Sequence, residues 1–176
     1  MADHLTIPPG PDDHVRGPDD ADLELVMYGD FECPYCMAAQ SILGRVRARL
    51  GERLRFVFRH FPVEAVHEHA LQAAQAAEAA AAQGAFWEMH DALFAQQGRL
   101  SRRDILAVAR RLGLDVARLE ADLDREVHLA RVRRDQESGR ASGVRGTPGF
   151  FANGARLDGA FDAGSIAEAL TRHAAA

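Results

Sequence analysis

The chain has 176 residues, 47% of them hydrophobic and 27% charged, with a formal net charge of −5 at pH 7. That length and balance fit one globular domain with a sizeable core, and the acidic charge argues against nucleic acid as a partner. All 21 basic residues are arginine, mainly a matter of genome composition, so any cation near a functional site has to be Arg or His.

Residues 1–22 are rich in Pro, Gly and Asp and predict an extended arm, with a short strand near Leu5 to Ile7. Met1-Ala2-Asp3-His4 offers no basic n-region, and Leu5-Thr6-Ile7-Pro8 is too short and broken for an apolar h-region. No stretch approaches transmembrane length. The plainest expectation is a cytoplasmic protein with no membrane partner, although a piece cut from an exported protein would look the same.

Leu23 to Tyr28 predicts the first core strand, Gly29-Asp30-Phe31-Glu32 a connection, and Pro34 to Leu50 a helix whose inward stripe is Ala39, Leu43, Val46 and Leu50. Gly51 ends that helix. Leu54 to Phe61 alternates and is aromatic-rich, a second strand stopped by Pro62. Residues 63–146 then predict almost continuous helix. Glu68 to Gln83 is alanine-rich, and Phe86 to Gln97 puts Phe86, Met89 or His90, and Leu93 on one side. Ser101-Arg102-Arg103-Asp104 fits a capping box ahead of Ile105, Val108, Ala109 and Leu112. Gly113 closes that helix and Asp115 caps the next, whose stripe of Leu119, Leu123 and Val127 runs on into a long polar helix ending near Gly139 or Gly143. Arg131, Arg133 and Arg134 are expected on a solvated face. Thr147 to Ala152 and Ala155 to Asp158 read as strands joined by an Asn153-Gly154 turn. Asp162 caps a last helix with Ile166, Ala169 and Leu170 inward.

The only two cysteines stand at C-x-x-C spacing, Cys33-Pro34-Tyr35-Cys36. They are too few for a disulfide framework or a four-ligand zinc site within one chain. Placed where a strand feeds a helix, Cys33 meets the unpaired N–H groups and partial positive charge of the helix start, which favour a thiolate. Pro34 suits the first turn because its missing N–H would go unused. Cys36 lies one turn in on the same face and is expected to be more buried. Cys33 is therefore the expected attacking thiolate and Cys36 the thiol that resolves the mixed disulfide. No other cofactor is expected; the redox group is the Cys33–Cys36 pair itself.

Four segments together resemble the DsbA-like thiol–disulfide oxidoreductases of the thioredoxin superfamily. They are Tyr28 to Cys36, Phe58-Arg59-His60-Phe61-Pro62, Phe86-Trp87-Glu88-Met89-His90-Asp91, and Gly146 to Gly154, in that order, with Asp13 to Pro18 resembling the arm of such proteins. The resemblance implies an α/β thioredoxin-like fold, β-α-β then β-β-α, with an all-helical domain inserted between the halves. The divisions are a 1–22 arm, a first half at 23–62, an insertion at 63–146 and a second half at 147–176. It also implies a cis Thr147–Pro148 bond facing the cysteines and exposing the Thr147 backbone, where an extended substrate pairs by strand addition beside Gly149. Phe31, Tyr35 and Phe150 are either an apolar rim for substrate or core.

One position departs from the family pattern. Such proteins carry a buried acid six residues before the first cysteine, and here that residue is Met27. A thioether accepts no proton and brings no charge, so Cys36 is expected to lose its proton with help from water or His60, or slowly. Asp30 and Glu32 are expected in solvent. His60 either faces the cysteines or holds a structural hydrogen bond. His67 and His69 flank Glu68, but positions i and i+2 do not share a helix face, and no metal is assigned. Arg59 cannot be placed. Trp87, with Phe86 and Phe94, is expected in the core of the insertion.

Expected partners are protein or low-molecular-weight thiols and disulfides plus an unidentified partner that recycles the pair. The competing readings are a glutaredoxin-like metal or iron–sulfur module shared between two chains, and a thiol-independent chaperone.

Overall fold

The computed structural model describes residues 4–96, 98–159 and 161–173. Five strands form one mixed sheet: β1 (His14–Arg16), β2 (Leu23–Gly29), β3 (Leu54–His60), β4 (Gly149–Ala152) and β5 (Ala155–Leu157), in the spatial order β1-β3-β2-β4-β5. β2 and β3 run parallel in register from Leu23↔Leu54 to Gly29↔His60, and the other pairs are antiparallel. The two central strands are nearly all buried, as strands covered on both faces must be.

Among the described residues seven α-helices pack on the sheet or on one another: α1 (Pro34–Leu50), α2 (Ala70–Ala81), α3 (Phe86–Ala95), α4 (Arg102–Arg111), α5 (Val116–Asp124), α6 (Leu129–Ala141) and α7 (Ala163–His173). The fold is a thioredoxin-like α/β sheet with α2 to α6 inserted between β3 and β4. In α1 the stripe Ala39, Leu43 and Val46 is buried as the spacing predicts, and Leu50 packs at its edge. α2 is buried nearly all round, because its alanines let α3, α5 and α6 approach it closely. Ser101 accepts the Asp104 N–H, Asp115 that of Arg118, and Asp162 those of Gly164 and Ser165, so the three expected caps form. The expected end of α3 at Gln97 lies outside the described residues.

Three expectations need correction. The strand of the arm is His14–Arg16 on the edge of β3, not Leu5 to Ile7; Leu5 only donates its N–H to the Gly154 carbonyl, 2.8 Å away. The stripe Leu119, Leu123, Val127 does not run through. Glu126 turns into the left-handed region (φ 51°), α5 and α6 separate there, and Val127 is 54% exposed. Arg131 and its neighbours are not simply a solvated face. Arg131 pairs with Asp135 and donates to the Asp12 carbonyl, Arg134 reaches Asp12, and Arg133 pairs with Glu64.

Those arginines show how the arm is fastened. Arg59, only 3% exposed, takes Asp13 in a two-pronged pair (2.8 and 2.9 Å) and donates to the Ile7 carbonyl and the Tyr28 hydroxyl. It lies under the arm, where burial leaves only a paired guanidinium acceptable. Trp87 is half-buried, donates its ring N–H to the Val15 carbonyl at 2.9 Å, and carries the Arg16 guanidinium 4.3 Å over its ring. It grips the arm as well as packing in the insertion.

Gly139 marks the place where α6 packs closest to the sheet, against the Phe61 and Tyr28 rings at the ends of β3 and β2. A Cβ there would lie 2.7 Å from the Phe61 ring and 3.0 Å from that of Tyr28. Gly139→Ala is therefore expected to destabilise by about 1–3 kcal/mol through overpacking, against the small gain alanine normally brings inside a helix. Urea unfolding checks this, and a variant as stable as the parent would refute the close packing.

Candidate active site

β2 ends at Gly29, and the chain turns through residues 30–33 into α1. Cys33 is the residue that caps α1, with φ −74° and ψ 121°, and Pro34 occupies the first helical position. Both cysteines are free thiols; Cys33 is 3% and Cys36 0% exposed, while Pro34 and Tyr35 between them stand in solvent, Tyr35 at 73%.

The two sulfurs differ sharply in acidity. Cys33 is lowered from 9.0 to about 5, first by the hydrogen bond from the Cys36 thiol, then by the Thr147 side chain and the N–H groups of Cys36 and Tyr35, all against the opposing effect of burial. The strongest influences on Cys33 are thus hydrogen bonds and helix-start N–H dipoles rather than a nearby Arg or His. Burial pushes Cys36 strongly up, and the neighbouring Cys33 adds to this; the Asp30 N–H works in the other direction.

Thr147 closes the site from the far side. The Thr147–Pro148 bond is cis, and the Cys33 thiol donates to the Thr147 carbonyl at 3.3 Å. Gly149 opens β4 opposite Tyr28, with Val144 methyls 3.1 and 3.3 Å from where a Cβ would lie. Phe31 and Phe150 are not rim residues. Both are 1% exposed, Phe31 against Phe58, His60, His90 and Phe94, and Phe150 against Phe161. Of the three rim candidates only Tyr35 faces solvent.

His60 takes the structural alternative. Its Nε2 bonds the Glu78 carboxylate at 2.8 Å and its backbone N–H donates to Asp135. The same Glu78 oxygen receives His14 Nε2 at 2.7 Å, and Arg131 Nε lies 4.0 Å away. His14, His60 and Glu78 are the one grouping among the described residues with ligand atoms close enough for a metal, within 4.8 Å of one another. With both imidazoles already on one carboxylate oxygen and a guanidinium beside it, the cluster is built to satisfy a buried anion.

The loop before Cys33 holds residues that the sequence misplaces. Asp30 is 1% exposed, not solvated. Its carboxylate accepts the N–H groups of Glu32 and Val63, each at 2.8 Å, and bonds His67 Nδ1 at 2.8 Å. Glu32 accepts the His69 N–H at 2.6 Å and pairs with its ring at 3.0 Å. His67 and His69 thus brace the loop. The faint signal in the sequence is that both acid–histidine pairs span 37 positions, which nothing short of the fold brings together.

A parallel and antiparallel sheet of this order, with a C-x-x-C pair at a helix start facing a cis-proline, defines a thioredoxin-like dithiol protein. A family model described as Thioredoxin matches residues 10–172. The chain belongs to that family. It is 46% identical over 170 residues to a protein named Na(+)/H(+) antiporter NhaA 1 from Salinispora arenicola, covering 95% of this chain and 26% of that protein. It is 48% identical over 158 residues to the Na(+)/H(+) antiporter NhaA of Herminiimonas arsenicoxydans, covering 90% and 25%. The chain therefore spans about a quarter of the length of these curated relatives. Among solved structures, a thioredoxin-like oxidoreductase from Silicibacter pomeroyi superposes with a TM-score of 0.85 at 28% identity over 95% of both chains. BdbD from Bacillus subtilis superposes with a TM-score of 0.83 at 22% identity over 91% of both, a likeness of fold.

These relatives overturn the expectation of a cytoplasmic protein, since proteins named as ion antiporters point away from the cytoplasm. Among the described residues no helix is long and apolar enough to cross a membrane.

Proposed function

We propose that the chain exchanges disulfides with protein or small-molecule thiols through Cys33 and Cys36, with no further cofactor. The observation that carries this reading is the split in acidity: a Cys33 thiol lowered to about 5 beside a buried Cys36 raised well above the usual thiol range. At neutral pH Cys33 is ready to attack while Cys36 keeps its proton until a mixed disulfide forms.

Cys33 thiolate attacks one sulfur of a substrate disulfide; a new S–S bond forms, and the first substrate sulfur leaves as a thiolate that takes up a proton. Cys36 then loses its proton and attacks the Cys33 sulfur, and the second substrate sulfur leaves. The substrate is reduced by two electrons and the pair is oxidised. Run backwards, the same steps oxidise a substrate dithiol.

We place the net direction on the oxidising side. Stabilising the Cys33 thiolate favours the reduced pair, which makes the disulfide form the stronger oxidant. The Thr147 backbone, beside Cys33, is the surface on which an extended substrate segment would pair. The identity to antiporter-named proteins makes cysteines of a transport protein one client class, and the recycling partner is a further thiol protein or small thiol.

Two measurements test the reading. Iodoacetamide should alkylate Cys33 with a pH midpoint near 5, the thiolate controlling the rate. Equilibration with glutathione should give a potential less negative than about −200 mV, in the range of isomerases and oxidases rather than the about −270 mV of a reducing thioredoxin. A midpoint near 9 with no exchange activity would defeat the enzyme reading, and a thioredoxin-like potential would reverse its direction.

A further inference from the structure

The buried resolving thiol has no acid beneath it. Met27, where the family pattern places a carboxylate, is 0% exposed and packs in the same apolar cluster as Cys36. What Cys36 does have is a donor: the Asp30 backbone N–H, 3.5 Å from its sulfur. The carbonyl of the same residue accepts the Cys33 N–H at 3.2 Å. The backbone of residue 30 therefore touches both halves of the pair.

That backbone is aimed by its own side chain. One carboxylate oxygen of Asp30 accepts the Glu32 N–H, shaping the turn into α1; the other accepts the Val63 N–H and bonds His67 Nδ1. Beside it the Phe61 N–H donates to the Gly29 carbonyl at 2.8 Å, and Glu32 is tied to His69. Residues 29–32 are thus fixed to residues 61–69, with Asp30 at the centre and fully enclosed.

Resting on the thiol-exchange reading, we infer that Asp30 is a positioning residue that aims its backbone N–H at Cys36 and so assists the resolving step in place of the acid absent at Met27. The N–H strengthens its bond as negative charge builds on the sulfur and contributes nothing comparable while the thiol is protonated. The Cys36 proton passes to water or to the departing substrate thiolate, the Cys33–substrate S–S bond breaks, and the Cys33–Cys36 bond forms. His67 touches neither cysteine; it holds the Asp30 carboxylate.

The test separates attack from resolution. Reduced protein is mixed with oxidised glutathione, quenched with acid at intervals, and the mixed disulfide counted by mass spectrometry across pH. In Asp30→Ala the pH midpoint of resolution should rise by about one unit or more, the worth of one charge-assisted hydrogen bond, while the Cys33 attack rate changes by less than about threefold. Asp30→Asn keeps the shape and one acceptor and should restore part of the shift. His67→Ala should shift the midpoint in the same direction by less, and it carries the test if Asp30→Ala does not fold. An unchanged resolution profile in folded Asp30→Ala overturns the inference, as does an equal fall in attack and resolution. A parent protein that forms no mixed disulfide at all would instead defeat the thiol-exchange reading.

Discussion

Cys36→Ser is expected to turn the protein into a disulfide trap. Cys33 keeps the first-turn N–H groups of Tyr35 and Cys36 that lower it, so attack continues. A serine hydroxyl at position 36 replaces the thiol donor but cannot displace the substrate sulfur, so the mixed disulfide accumulates. Cys33→Ser removes the nucleophile and should lower exchange by more than about a thousandfold, since a hydroxyl of ordinary acidity in this setting has no base to activate it. Non-reducing electrophoresis with a disulfide-bonded client reads both: a persistent adduct in Cys36→Ser and none in Cys33→Ser. Adducts in both variants would mean that another mode of attachment is at work. An adduct in Cys33→Ser alone would mean that the assigned order of attack is reversed.

The second large effect is on stability, at Glu78. Its carboxylate joins four parts of the chain: His14 of β1, His60 at the end of β3, Arg131 of α6, and its own helix α2. Glu78→Ala leaves the buried His60 and half-buried His14 imidazoles without their acceptor, and losses of about 3–5 kcal/mol follow from breaking one side of a buried charge cluster. The pH dependence has a definite sign. Burial opposes the Glu78 charge, but the His14 and His60 bonds outweigh it and hold the carboxyl far below its ordinary 4.5. A carboxylate depressed on folding stabilises above its unfolded value and loses that contribution as pH falls towards its folded value. The stability gap between the parent and Glu78→Gln should therefore be widest near neutrality and narrow below about pH 4.5. A gap that stays constant from pH 7 to pH 3 in urea titrations would show that the cluster carries no net charge interaction.

What the sequence reveals and what it hides divide along a physical line. Features written in local spacing are legible: the C-P-Y-C pair, the buried stripe of α1, the caps at Ser101, Asp115 and Asp162, the Asn153-Gly154 turn. Each depends on residues within a few positions of one another. Asp30 is misjudged, and Arg59 and Glu78 go unread, because Asp, Glu and Arg are exposed by default and only pairing across the fold reverses that. Asp30 needs Val63 and His67, Arg59 needs Asp13, and Glu78 needs His14 and His60. Phe31 and Phe150 stay open between rim and core in the sequence, since an aromatic suits either until its neighbours are known. The break at Glu126 is hidden because a polar residue in a helical stripe does not announce a left-handed turn.

The Asn153-Gly154 turn gathers both described ends of the chain. Leu5 bonds the Gly154 carbonyl, His4 bridges to Ala155, and the Asn153 side chain donates to the Leu170 carbonyl near the end of α7. The same Asn153 is tied to Glu24 at the start of β2, whereas Cys33 follows the far end of that strand. Six residues of extended chain separate the two poles, about 20 Å. Both described ends therefore lie towards the pole opposite the thiols, and a client can approach the dithiol face without meeting either of them.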